Sequence, residues 1–149
     1  MTRKMAAVLE SKLEELSVLT QMLQIFLRPY QLSAKMLYAL ELSLEEIFVN
    51  IVSYAYEEGQ GQAIHFDVEV EDDVIAMKFR DRGRPFNPLA VKPKTENTDK
   101  ERAIGGLGIT FVRRMRDMME YQREDDWNVL RIWFQRKAGT ETKSDNSDL

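Results

Sequence analysis

Between residues 63 and 80 apolar and polar side chains alternate, and a period of two leaves little choice but a half-buried sheet. Ile64, Phe66, Val68 and Val70 fall on one side, and His65, Asp67 and Glu69 on the other. That is the pattern of a strand with one face on a core and one in solvent. Glu71-Asp72-Asp73 makes a polar turn, and Val74 to Arg80 returns as a second strand that ends at Asp81. The pair predicts a hairpin whose apolar face must be covered by other elements.

The cover comes from helical periodicity upstream. From about 11 to 27, Leu13, Leu16, Leu19, Leu23 and Phe26 or Leu27 recur at steps of three and four, with Glu14, Glu15, Thr20 and Gln21 between them. This predicts an amphipathic helix ended by Pro29. Ser33 is placed to cap a second helix, on which Leu37, Leu40, Leu44, Ile47, Phe48, Ile51 and Val52 mark one apolar face up to about Glu57. Gly59 and Gly61 stop it. Residues 5–9 (Met-Ala-Ala-Val-Leu) fit either an opening strand or the first turn of a helix. Residues 87–104 carry Pro88, Pro93 and several Lys and Thr without apolar periodicity, and a loop of that length in a compact domain is commonly a lid or a binding element.

A third helix is expected from near Gly106 to about Met118 through Ile109, Phe111, Val112 and Met115. Two more strands follow, Met119 to Arg123 and Asn128 to Arg136, around the acidic turn Glu124-Asp125-Asp126. The sum is an α+β arrangement, a mixed or antiparallel sheet with helices on one face. One domain over residues 1–138 accommodates it, with a polar, disordered tail at 139–149.

Composition narrows the function. Of the 149 residues, 44% are hydrophobic and 31% charged, which suits a folded domain and not a disordered chain. The net charge of −4 gives no field to draw the chain onto nucleic acid or anionic lipid. With no cysteine, thiol nucleophiles and thiolate metal sites are excluded, and a cytoplasmic setting is expected. No run approaches the roughly 20 apolar residues of a membrane span, and the apolar stretch at the start stops at Glu10, too short for a signal peptide.

Three short blocks carry the candidate chemistry. Positions four apart on a helix lie about 40° from each other and positions five apart about 140°, so Glu46, and not Glu45, shares a face with Asn50. An Asn oxygen suits Mg²⁺, which takes its other ligands from water and substrate phosphates. A carboxylate one turn earlier can accept a proton from an attacking hydroxyl. In the second block, Asp81 ends a strand just before Gly83; a buried carboxylate there can accept a hydrogen bond from an adenine amino group, and a glycine lets the backbone come close to the ring. Phe86 serves either the core or the wall of a pocket. In the third, Gly105, Gly106 and Gly108 open a helix, whose unpaired N–H groups favour phosphate.

Each block alone also has a plainer reading. Exposed Glu and Asn are common on helices, Asp-x-Gly is an ordinary turn, and Gly-Gly-x-Gly also serves close helix–sheet packing. Lys92, Lys94, Lys100 and Arg102 in the lid are lone cations until something places them at a terminal phosphate. Tyr54, one turn past Asn50, reads as packing. His65, the only histidine, lies mid-strand on the polar face, which argues against a catalytic triad or a His-ligated metal.

The order of the blocks is more specific than any of them. Residues 40–56 look like the N box, Asp-Arg-Gly-Arg-Pro-Phe-Asn-Pro-Leu (81–89) like the adenine-binding box, and Gly-Gly-Leu-Gly-Ile-Thr-Phe-Val-Arg-Arg-Met-Arg-Asp (105–117) like the second glycine box of the GHKL ATP-binding superfamily. Within it the chain resembles the small anti-sigma-factor serine/threonine kinases, the SpoIIAB/RsbW-like proteins, over almost its whole length. The Pro-Phe-x-Pro form of the middle box favours that branch over sensor histidine kinases. Asn87 stands where the branch commonly has Asp, and Tyr54 where it frequently has His.

The resemblance implies a Bergerat-type two-layer α/β sandwich that binds ATP and Mg²⁺ under a lid at about 88–104. It also implies Asn50 as the metal ligand and Glu46 as the base. Asp81 would read adenine, with Gly83, Phe86, Arg102, Gly105, Gly106, Leu107 and Gly108 also at the nucleotide. The implied activity is phosphorylation of a serine or threonine on a STAS-domain anti-sigma antagonist. Partner switching follows from it, with a sigma factor or other regulator held until the antagonist competes. Members of this branch often form homodimers. The alternatives are a non-catalytic, ATP-gated binding module and, with less support, a histidine-kinase-type catalytic domain.

Overall fold

A computed structural model describes residues 2–57, 62–90 and 118–136. Its described strands are β1 (Arg3–Glu10), β2 (Ala63–Val70), β3 (Val74–Asp81), β4 (Met119–Glu124) and β5 (Trp127–Gln135), and its described α-helices are α1 (Glu15–Leu27) and α2 (Ala34–Tyr54). The strands form one sheet in the order β1-β2-β3-β5-β4, antiparallel at every pairing. The predicted hairpin is β2 and β3, with Val70 opposite Ile75 across the acidic turn.

Residues 5–9 belong to a strand. Pairing with β2 from Arg3 opposite Val70 to Glu10 opposite Ala63 supplies hydrogen bonds that a short apolar run cannot choose for itself. Leu9 is buried, while Val8 is 64% exposed, the alternation of a strand and not of a helix.

The first helix starts later than its periodicity suggests. The Ser11 amide donates to the Gln62 carbonyl at 2.8 Å and the chain turns through residues 11–14, so Leu13 is left 54% exposed, off the apolar face assigned to it. From Glu15 the stripe behaves as expected: Leu19, Leu23, Phe26 and Leu27 are buried. A 3-10 turn at Arg28–Tyr30 includes Pro29. Ser33 then accepts the Met36 amide at 3.0 Å, as an N-cap should.

The second helix ends at Tyr54 and not near Glu57. The Ala55 carbonyl accepts the Arg84 amide at 3.0 Å, and the Tyr56 hydroxyl donates to the Ala63 carbonyl and accepts the Arg82 amide, both at 2.8 Å. Tertiary hydrogen bonds thus replace the next helical turn.

Both helices lie on one face of the sheet. Leu40, Leu44, Ile47, Phe48 and Ile51 of α2 share a core with Ile64, Phe66, Val68, Ile75, Met77, Phe79, Leu130, Ile132 and Phe134. Fully burying one such side chain contributes about 1.5–3 kcal/mol. The result is an α+β, GHKL-type two-layer arrangement, and its helix-covered face is where the polar candidates gather. Among the described residues no helix is long and apolar enough to cross a membrane.

Candidate functional site

Four polar or charged side chains are buried among the described residues, Ser43, Asn50, Asp81 and Asn128. Helix geometry and strand register explain the last three. Asn50 shares the inner face of α2 with Ile47 and Ile51. Asp81 continues the inward phase of Ile75, Met77 and Phe79 on β3. Asn128 continues that of Leu130, Ile132 and Phe134 on β5, and stands directly opposite Asp81.

Asp81 is 1% exposed. Its Oδ1 accepts the Gly83 amide at 2.9 Å and Asn128 Nδ2 at 2.8 Å. Burial pushes its carboxyl above the usual carboxylate range, and the bonds from Asn128 and Gly83 and the Arg123 charge oppose that rise. Both bonds load one oxygen, so a ligand N–H has Oδ2 to meet.

Gly83 is held against the end of α2. A Cβ there would lie 2.3 Å from the Ala55 carbonyl oxygen, so the turn can dock only with glycine. This close approach of two backbones is a reason for Gly83 that the sequence did not reveal. Arg84 Nε adds a bond to the Tyr54 carbonyl at 2.7 Å. Phe86 packs on Tyr54 with ring centroids 5.5 Å apart and lies half-buried against the core.

Asn50 Nδ2 donates to the Pro88 carbonyl at 3.3 Å, joining α2 to the 3-10 turn Pro88–Ala90. The bond takes the amide's nitrogen, so the oxygen is the atom a cation would use. Among the described residues no group of three or more His, Cys, Asp or Glu could hold a metal by itself. One buried amide oxygen fits Mg²⁺ that takes the rest of its shell from phosphate and water, and it does not fit a metal that needs an all-protein cage.

Glu46 is half-buried one turn before Asn50. Burial, helped by the neighbouring charge of Glu45, pushes its carboxyl up to about 7. A carboxyl there exchanges its proton near neutrality, as a general base should.

Sequence reading missed Asn128. It is 2% exposed and bonds Asp81, Phe86, Tyr121, Arg123 and Arg84. The signal that could have found it is its phase, a polar residue at an inward position of a strand otherwise lined by Leu130, Ile132 and Phe134. Arg102, Gly105, Gly106, Leu107 and Gly108 lie outside the described residues, as do most of the lid and the third helix. A cleft of about 410 Å³ opens beside the turn, lined by Tyr56, Gln62, Arg82 and Arg84 among others. Gly83 also lines it, while Glu46, Asn50 and Asp81 do not.

Comparison with known proteins agrees with the fold. The model of the histidine kinase-like ATPase domain matches residues 9–134, from the end of β1 to the end of β5. The serine/threonine-protein kinase BtrW of Bordetella bronchiseptica is 30% identical over 101 residues, which cover 67% of this chain and 71% of that protein. A match that takes in both described helices and every strand after β1 shows the family: this chain belongs to the histidine kinase-like ATPase domain family.

Proposed function

We propose that the chain, a single ATP-binding domain over residues 1–138, uses Mg·ATP to phosphorylate a serine or threonine of a STAS-domain anti-sigma antagonist. In the same reading it holds a sigma factor or similar regulator until that antagonist competes for it. The observation that carries the catalytic part is Glu46, a carboxyl at about 7 one helical turn from the buried Asn50. The name of the similar kinase, which acts on serine or threonine, supports the acceptor class.

Each residue then has a task. Asp81 accepts the adenine amino group, Gly83 and Phe86 shape the base pocket, and Asn50 offers its oxygen to Mg²⁺. Arg102 supplies a cation to the terminal phosphate, and Gly105, Gly106, Leu107 and Gly108 cradle the phosphates with their backbone N–H groups. Held at Asn50, Mg²⁺ would supply charge neutralisation on the phosphates, which is most of what phosphoryl transfer requires. Glu46 takes the proton of the acceptor hydroxyl as its oxygen bonds to the γ-phosphorus. The bond from that phosphorus to the β–γ bridging oxygen breaks, and ADP leaves.

Labelled ATP and STAS-domain proteins from neighbouring genes provide the test. Glu46→Ala is expected to abolish label transfer while changing ATP affinity less than about threefold, since the base contacts the acceptor and not the nucleotide. Transfer at the wild-type rate would remove Glu46 from the chemistry. A wild-type chain that binds ATP and labels no partner would point to a non-catalytic, ATP-gated module. The departures at Asn87 and Tyr54, which lie beside the core residues of the adenine-binding box and the N box, bear more on substrate handling than on ATP binding.

A further inference from the structure

We infer that Asn128 is a positioning residue for base recognition: it fixes the plane of the Asp81 carboxylate and so sets the preference for a purine bearing a 6-amino group. The inference deepens the ATP reading and rests on it.

Asn128 has no bonding capacity to spare for a ligand. An amide offers two N–H donors and one oxygen. Nδ2 donates to Asp81 Oδ1 and to the Arg84 carbonyl, both at 2.8 Å. Its Oδ1 accepts the Phe86 amide at 3.1 Å, Arg123 Nη1 at 3.2 Å and the Tyr121 hydroxyl. With both donors used and the side chain 2% exposed, it acts on a nucleotide only through what it holds.

What it holds is the reading end of the site. Asp81, Asn128 and Arg123 stand side by side on β3, β5 and β4, and Arg123 Nη1 also donates to the Gly83 carbonyl at 2.8 Å. One amide therefore ties the end of β3, the turn at residues 83–86 and the β4–β5 hairpin into a unit. The bonds from Asn128 and Gly83 approach the same carboxylate oxygen. Two donors fill the two lone-pair sites of Oδ1, fix rotation about the Cβ–Cγ bond, and leave Oδ2 as the oxygen an incoming N–H would meet. Without Asn128 the local Gly83 bond is the one left to Oδ1 among the described residues, and the carboxylate gains rotational freedom.

A merely structural asparagine and a positioning one differ in what they do to selectivity. The test is calorimetric titration of ATP and of purine riboside triphosphate, which lacks the 6-amino group, into wild type and Asn128→Ala. Wild type is expected to prefer ATP by about tenfold or more, the worth of one buried hydrogen bond to a charged acceptor. Asn128→Ala should weaken ATP by about tenfold and the analogue by less than about twofold, so the ratio falls toward one. Equal weakening of both, with the ratio kept, overturns the inference. Asn128→Ser retains one donor and keeps the test readable should the alanine variant not fold; its ratio should lie between the other two, and a wild-type ratio in it counts against the inference. The wild-type arm separates the underlying readings. No binding of either nucleotide removes the ATP site, and equal binding of both removes the role of Asp81 and this inference with it.

Discussion

Glu46 keeps its proton to about 7 because α2 places it half out of water beside a second carboxylate. Its folded pKa lies above the unfolded value, so the folded state holds the proton more tightly. The stability this gives is fully present below pH about 4.5, declines as pH rises, and is gone above about 7. Glu46→Gln removes the charge. It should leave thermal stability unchanged at pH 4 and raise it by about 1 kcal/mol at pH 8, a figure that allows for partial solvent screening. A variant equally stabilised at both pH values would show that the charge is not the cause. Gly83 makes the opposite kind of prediction. Gly83→Ala drives a Cβ into the Ala55 carbonyl, and chemical denaturation should show a loss of about 2–4 kcal/mol; a loss under about 0.5 kcal/mol would mean the turn can move away from α2. Asp81 and Glu46 were legible as residues because each sits at a position with its own rule, a strand end and an i, i+4 pair. Asn128 showed in the sequence only as a polar residue at an inward strand position; its role was not legible, because its partners at 81, 84, 86, 121 and 123 meet only when three strands pair.

At the scale of elements, α2 shows how far periodicity reaches. Its apolar face and its cap at Ser33 follow from sequence alone, since both depend on neighbours within four residues. Ser33→Ala should therefore cost about 1 kcal/mol in thermal or chemical denaturation. Phe48→Ala, which empties a fully buried site between α2 and the sheet, should cost about 3–5 kcal/mol. A smaller loss at Phe48 than at Ser33 would contradict the packing described. The end of α2, the start of α1 and the identity of β1 were not legible for one shared reason. Each is decided by a bond to a distant strand or turn, Ala55 with Arg84, Ser11 with Gln62, and β1 with β2.

Across the whole molecule, the antiparallel order β1-β2-β3-β5-β4 brings Asp81 and Asn128 together in the sheet. The Asn50 bond to Pro88 joins α2 to the chain beyond β3, and the docking of the 82–84 turn on the end of α2 fixes the helix against the same strand. Asn50, Asp81 and Asn128 thus lie buried on the helix-covered face, which suits a nucleotide held between a long helix and a sheet. The proposed function rests on Asp81 and Asn50 holding Mg·ATP. Titration of ATP in the presence and absence of Mg²⁺ into wild type, Asp81→Asn and Asn50→Ala, with folding checked by circular dichroism, tests it most directly. One ATP per wild-type chain is expected, with affinity reduced at least about tenfold in folded Asp81→Asn and an affinity in Asn50→Ala that no longer responds to Mg²⁺. A wild-type chain that binds no ATP, or variants that bind it as wild type does with and without the metal, would contradict it.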